Sequence, residues 1–211
     1  RRQLASAHLL RGMVLTALGG TQGSQTDAAA AQDRDVRAIE HFSAALSHDP
    51  ADADALFYRG LVWARLGRYE NAEADFQSAL ECDVAPKSVV RARANYCLAI
   101  LLDRRNAGAR APLAPMAQAI ASLPPEFVHS EEAGEMHLHR ARIQERLGYT
   151  SAARTSCQDA ITAVQVFRTR RARATIAAAE TALRRLNESR AADANGAAAP
   201  VTPPPLPVAA E

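Results

Sequence analysis

The sequence predicts an all-α protein built from stacked helix–turn–helix repeats. The first observation is a pair of similar segments, "AIEHFSAAL" from Ala38 and "AEADFQSAL" from Ala72, which lie 34 residues apart. The second is a Leu-Gly pair that occurs in "TALGG", "ARLGR" and "ERLGY", with a helical pattern on both sides. Glycine readily adopts the left-handed backbone conformation that ends one helix before the next begins. A 34-residue period of two short helices is therefore expected.

The composition supports helices and excludes several classes of function. Hydrophobic residues make up 48% of the 211 residues but aromatic residues only 5%, and alanine, the strongest helix former, carries much of the apolar total. The net charge of +2 is too small to indicate nucleic acid or an anionic membrane as the partner. No apolar run reaches the roughly 18 residues of a membrane span. The three cysteines form no CxxC pair, which favours free thiols and a cytoplasmic location.

The residues within the repeat resemble a known family. In the first helix of the segment 53–86, Gly60 stands at a position for a small residue and Trp63 at a position for a large one. Ala72, Phe76 and Ala79 follow on the second helix. The spacing Ala-x-x-x-Phe-x-x-Ala places these three residues on one face of a helix. This pattern resembles the tetratricopeptide repeat, a 34-residue helix–turn–helix unit.

The resemblance implies a right-handed superhelical array of about four repeats within residues 1–190. The predicted parts are a unit at 4–52 with a loop insertion at 20–34, units at 53–86, 87–124 and 134–167, a capping helix at 168–190, and a disordered Ala/Pro-rich tail at 191–211. The third unit departs most from the pattern, because Ala94 replaces glycine and Cys97 takes the bulky site. Whether the capping helix continues unbroken from the fourth unit stays open, since no Gly or Pro interrupts 149–195.

The sequence contains no recognisable catalytic constellation. It has no GxSxG elbow, no Gly-rich phosphate loop, no HExxH motif and no zinc-type cysteine pairs. His137 and His139 point in different directions on a helix, and His41 and His48 are interpreted as a solvated pair on one face. We therefore expect no enzymatic activity, no cofactor, no small-molecule substrate and no metal site.

Two surfaces are predicted to carry function. In tetratricopeptide proteins the first helices line a concave groove that binds a partner peptide or helix, and the resemblance implies that the groove residues here are Leu9, Met13, Phe57, Leu61, Arg65, Arg91, Asn95, Leu98 and Arg142. Phe57 is expected to face away from the core around Trp63 and Phe76. The alternative is that the loop 20–34 or the tail covers this strip. Only Arg91 and Asn95 resemble the family's carboxylate clamp, so that clamp is not expected.

The second surface is a possible basic patch on the capping helix, formed by Arg168, Arg170, Arg171 and Arg173. Such a face could contact phosphates or an acidic partner, although no aromatic side chains interleave with it. We favour the alternative interpretation, in which these arginines form a solvent-exposed face of the capping helix that binds no partner.

The leading hypothesis for the function is a scaffold or adaptor that binds another protein or peptide. The alternatives are a regulatory or targeting segment of a larger protein and, less favoured, a nucleic-acid-associated protein.

Overall fold

Helices account for nearly all the regular structure of this chain. The structure, a computed structural model, describes residues 2–19, 25–82, 85–105 and 108–195, and these residues contain no β-strand. The all-α prediction is therefore confirmed for the described part of the chain. The chain divides into two units, Arg1–Leu101 and Leu102–Glu211.

The first unit is made of helical hairpins. Its helices are α1 (Arg2–Gly19), α2 (Gln25–His48), α3 (Ala53–Arg65), α4 (Tyr69–Glu81) and α5 (Val89–Arg104), the last of which crosses into the second unit. Helix α1 packs against α2, α3 packs against α4, and α2 also contacts α3. Helices α1 and α2, and likewise α3 and α4, thus form two pairs of adjoining helices.

The second unit continues the same construction. It contains α6 (Leu113–Ala121), a short 3-10 helix (Pro125–Phe127), α7 (Glu131–Arg146), α8 (Thr150–Val164) and α9 (Arg170–Asn195). Helix α7 packs against both α8 and α9. The boundary between the units falls inside α5, so the predicted third repeat is divided between them.

The Leu-Gly pairs end helices as the sequence predicts. Gly67 has a φ of 73° and Gly148 a φ of 77°, a conformation that costs a residue with a Cβ atom more than it costs glycine. In the first turn the N–H of Arg68 donates to the Trp63 carbonyl at 2.9 Å, and in the second the N–H of Tyr149 donates to the Gln144 carbonyl at 2.9 Å. The third Leu-Gly pair coincides with the end of α1 at Gly19.

A close contact between the two helices of each repeat explains why the first helix carries glycine at this position. A Cβ atom at Gly60 would lie 2.8 Å from Cε1 of Phe76, and one at Gly12 would lie 2.6 Å from Cε1 of Phe42. Two carbon atoms cannot approach so closely without displacement of the ring. The two repeats therefore use the same device, in which glycine on the first helix accommodates phenylalanine on the second.

The hydrophobic core of each unit follows the repeat pattern. In the first unit Phe42 and Phe76 are fully buried, among the alanines of the repeat stripes. In the second unit Cys157 occupies the position of these phenylalanines and is fully buried between Ala153 and Ala160. The smaller cysteine leaves room for apolar side chains of α9, including Leu186, which pack on the same cluster.

The predicted loop at 20–34 is wrong for residues 25–34, which form the first turns of α2. Four consecutive alanines, Ala28–Ala31, favour this extension because alanine has the highest helix propensity. An ion pair of 2.8 Å between Arg37 and Asp33, one turn apart, supports the same helix. Residues 20–24 lie outside the described residues.

The predicted tail begins too early, because α9 runs through residues 191–195 to Asn195. Alanines at three of these five positions favour continuation of the helix. Residues 196–211, with the prolines that predict the tail, lie outside the described residues.

Helix α9 is separate from α8, which answers the question left open by the sequence. The hydroxyl of Thr169 accepts a hydrogen bond of 3.0 Å from the N–H of Ala172, so threonine caps the new helix. Polar capping thus replaces the usual Gly or Pro at this boundary.

Candidate functional site

The apolar residues predicted for the groove lie nearer the core of the first unit than expected. Phe57 is only 4% exposed, and its ring centroid lies 6.1 Å from that of Phe76. The prediction that Phe57 faces away from the core is therefore wrong: the side chain fills the space between α3 and α4. Leu9, Met13 and Leu61 are half-buried and pack against the edges of the core clusters.

The polar residues predicted for the same groove have partners inside the first unit. Arg65 forms a two-pronged ion pair with the buried carboxylate of Asp35, with one contact of 2.7 Å from Nε to Oδ2. Arg91 donates to the Leu80 carbonyl at 3.2 Å. Asn95 is only 2% exposed and donates to the Arg91 carbonyl at 3.1 Å. The contacts of Arg65 and Arg91 connect neighbouring helices, whereas that of Asn95 lies within α5. A binding role for these residues and for Leu98, which is half-buried, stays a prediction.

Arg142, the remaining predicted groove residue, lies in a groove of the second unit. Helices α7 and α9 border two adjoining depressions, of about 390 Å³ and about 300 Å³. Leu138, Arg142 and Ala178 line both depressions. We call this surface the α7/α9 groove; its other lining residues are Glu135, His139, Arg171, Ala174, Thr175, Ala177, Thr181, Ala182 and Arg185. Small side chains along α9 leave this space open beside the larger residues of α7.

Two ion pairs connect α7 to α9 along the groove. Nε and one terminal nitrogen of Arg171 each lie 2.5 Å from a carboxylate oxygen of Glu135, and Arg185 donates to Glu145 at 3.0 Å. The pairing with Glu135 raises the pKa of Arg171. Both glutamates thus have an arginine partner on α9.

Arg142 differs from these arginines, because it forms no hydrogen bond or ion pair with any residue that the structure describes. Its side chain is exposed between the two ion pairs on the same face of α7. The groove therefore combines an apolar floor with one unpaired cation.

The basic patch predicted at 168–173 carries less free charge than its sequence indicates. Arg171 is paired with Glu135, and Arg173 donates to the Thr169 carbonyl at 3.3 Å. Arg168 and Arg170 are exposed. Binding of a partner to this patch stays a prediction.

A partly buried polar network between α7 and α8 was not found from the sequence. Arg140 donates to the hydroxyl of Ser156 at 2.8 Å and to Asp159 at 2.9 Å. In the first unit Arg59 pairs with the carboxylate of Asp75 through contacts of 2.8 Å and 2.7 Å. Arg59 and Asp75, like Arg140 and Ser156, are 16 residues apart. A comparison of the repeats for paired polar positions would have revealed this shared arginine.

His137 lies beside this network in a desolvated position. Burial lowers its pKa to about 4; Arg140 acts in the same direction and Asp159 opposes it. Nδ1 of His137 is 3.6 Å from the nearest Asp159 oxygen, which is longer than a hydrogen bond. The folded state therefore favours the neutral imidazole.

Replacing His137 with glutamine should reduce the acid sensitivity of folding. In the unfolded chain histidine titrates near its ordinary pKa of about 6.5, so the unfolded state binds the proton more readily than the folded state. The contribution of His137 to stability is complete above about pH 6.5 and is lost as the pH falls towards 4. Between pH 6.5 and 4.5 the wild type should lose about 2 kcal/mol more free energy of unfolding than His137→Gln.

Urea unfolding at several pH values measures this difference. His129→Gln, at an exposed position in the same unit, should keep the wild-type pH dependence. Equal pH dependence of the wild type and His137→Gln would show that His137 is not desolvated.

The described residues provide neither a multi-ligand metal site nor a membrane-spanning helix. No group of three or more His, Cys, Asp or Glu side chains there could hold a metal ion. None of the described helices is long and apolar enough to cross a membrane.

Comparison with known proteins identifies the repeat. Residues 53–83 match the sequence model of the tetratricopeptide repeat, and in the structure residues 53–81 of this match form the α3–α4 hairpin with its glycine–phenylalanine contact. This segment is a tetratricopeptide repeat. The resemblance noted in the sequence is thereby confirmed for the second predicted unit, the one with the clearest pattern. No curated protein sequence matches the chain significantly.

Solved protein structures superpose on the chain at low sequence identity. A crystal structure of the MamA protein superposes with a TM-score of 0.55 at 15% identity, covering 96% of this chain and all of that one. A second MamA crystal structure gives 0.51 at 15% identity, covering 83% of this chain and 99% of that one. YrrB, a TPR protein with an unusual peptide-binding site, gives 0.49 at 15% identity, with 76% and 84% covered. At this identity the two MamA matches show a common fold.

Proposed function

We propose that this tetratricopeptide-repeat protein is a scaffold or adaptor that binds an acidic peptide segment of another protein in the α7/α9 groove. The observation that supports the proposal is the unpaired guanidinium of Arg142 above the apolar floor of Leu138 and Ala178. The proposal includes no catalytic step. A cytoplasmic location, where the three free cysteines stay reduced, is part of it.

The groove suits a peptide that carries both an apolar and an acidic group. Burial of an apolar side chain on Leu138 and the α9 alanines supplies non-directional affinity. A carboxylate beside Arg142 gains a charge-assisted hydrogen bond, and the planar guanidinium favours a two-pronged contact. Because Glu135 and Glu145 already pair with Arg171 and Arg185, they repel an incoming carboxylate less than free glutamates would.

The half-buried residues of the first unit remain candidate contacts in this proposal. Leu9, Met13, Leu61 and Leu98 retain some exposure, whereas Phe57 and Asn95 are too buried to touch a partner without local rearrangement. We therefore assign the contact with the acidic group of the peptide to Arg142.

Selection from a random peptide library against the full chain, followed by fluorescence anisotropy of the selected peptides, tests the proposal. Peptides with Asp, Glu or a free C-terminal carboxylate should be enriched. Arg142→Ala should weaken their binding at least about tenfold, equivalent to roughly 1.4 kcal/mol, and Arg142→Lys should weaken it less because the charge remains. Amidation of the peptide C-terminus and Asp→Asn or Glu→Gln peptide variants distinguish the two sources of carboxylate.

Arg184→Ala provides the matched control. Arg184 is an exposed arginine of α9 that does not line the groove, so its removal should leave binding within about twofold of the wild type. Selection of peptides without acidic groups, or an equal loss of affinity in both alanine variants, would contradict the proposal.

A further inference from the structure

Two histidines meet across the first helical hairpin. Nδ1 of His8, on α1, lies 3.3 Å from Nδ1 of His41, on α2. The ring of His48, two turns further along α2, stacks on His8 with 6.2 Å between the ring centroids. The sequence predicts only the approach of His41 and His48, because His8 comes from another helix and is 33 residues away from His41. The hairpin thus brings together two imidazole nitrogens that no spacing motif connects.

The distance between these nitrogens matches a shared metal ion. Zinc binds histidine nitrogen at about 2.0–2.1 Å with tetrahedral angles, which separates two nitrogen ligands by about 3.3–3.4 Å. We propose that His8 and His41 together bind a divalent transition-metal ion of the zinc type between α1 and α2. Imidazole suits zinc, copper and nickel, whereas calcium and magnesium prefer oxygen ligands.

The two histidines are the only protein ligands in this proposal. Within the described part of the chain no third His, Cys, Asp or Glu completes a ligand group, and His48 contacts the ring of His8 rather than sharing the ion. Water occupies the remaining coordination positions. Structural zinc sites use four protein ligands, so this site is an exchangeable one that responds to the concentration of free metal.

Metal binding would stabilise the hairpin. His8 and His41 are close only when α1 packs on α2, and an ion that binds the folded state in preference to the unfolded state stabilises it by mass action. The N-terminal hairpin of the scaffold would therefore be more stable in the presence of the metal. This inference is independent of the α7/α9 groove, since both histidines belong to the first unit.

Calorimetric titration of the full chain with zinc chloride, under reducing conditions, tests the proposal. One zinc site is expected in the wild type, and His8→Ala and His41→Ala should each remove it. Zinc at tenfold excess over its Kd should raise the thermal midpoint of the first unit by roughly 5–10 °C, and the two variants should lose this shift.

Two matched controls separate this site from general binding to histidines or thiols. His48→Ala removes the neighbouring imidazole, and His129→Ala removes an exposed histidine of the second unit; both should keep the zinc site. Far-UV circular dichroism checks the fold, and His41→Gln serves as a second variant because glutamine retains a polar side chain.

The absence of zinc binding to the wild type would show that the pair is an imidazole–imidazole hydrogen bond only. Equal binding by His8→Ala and the wild type would place the ion elsewhere. Either result overturns the proposal.

Discussion

Replacing Phe57 with alanine should lower the free energy of unfolding of the first unit by about 3–5 kcal/mol, the usual cost of truncating a buried phenylalanine. Phe57 is 4% exposed and packs between Tyr58 and Phe76, with ring centroids 5.2 Å and 6.1 Å away. Its removal takes away apolar burial and leaves a cavity that the two helices can fill only in part. Chemical denaturation of the full chain, followed by circular dichroism, measures the loss.

Leu10→Ala is the control for this measurement. Leu10 is also a large apolar residue of the first unit, but it is 60% exposed, so its truncation should change the free energy of unfolding by about 0.5 kcal/mol or less. A change below about 1 kcal/mol for Phe57→Ala would contradict the burial of the ring and restore its assignment to an exposed groove.

The second large effect is expected from Arg59→Met, which should cost about 3–5 kcal/mol because it leaves a buried carboxylate without its cation. Arg59 contacts both oxygens of Asp75, whose side chain is only 8% exposed, and also donates to Ser43 at 3.2 Å. Methionine keeps most of the length and the apolar stem of arginine. The loss therefore reports the unpaired charge more than lost packing.

Two comparisons make this prediction specific. The double variant Arg59→Met with Asp75→Leu should be more stable than the single variant, since replacement of both partners leaves no buried charge. Arg37→Met breaks the exposed Arg37–Asp33 pair on α2 and should cost about 0–1 kcal/mol. If Arg59→Met costs no more than Arg37→Met, water must reach Asp75, and the Arg59–Asp75 pair does not hold α3 against α4.

The sequence by itself determined the helical class and the repeat. The alanine-rich stripes and the Leu-Gly pairs at Gly67 and Gly148 act over one or two helical turns, and Gly60 lies in the same 34-residue repeat as Phe76, which it contacts. Such features are visible in a single sequence because glycine at positive φ and small residues at close contacts leave little choice of residue type. The resemblance to the repeat family, rather than these local features, suggested a binding role for Arg142; that residue borders the α7/α9 groove, and its binding role stays a prediction.

Tertiary structure decided which side chains are free to act. Phe57 and Leu61 occupy the same side of α3 in the sequence pattern, yet the packing of α4 buries Phe57 in the core. Arg65 and Arg142 look alike in sequence, but Asp35, 30 residues before Arg65, pairs with it, whereas no described residue pairs with Arg142. The His8–His41 contact likewise depends on the packing of two helices. Helical periodicity fixes the face on which a residue lies, but its partner comes from another helix, and only the packing of the helices selects that partner.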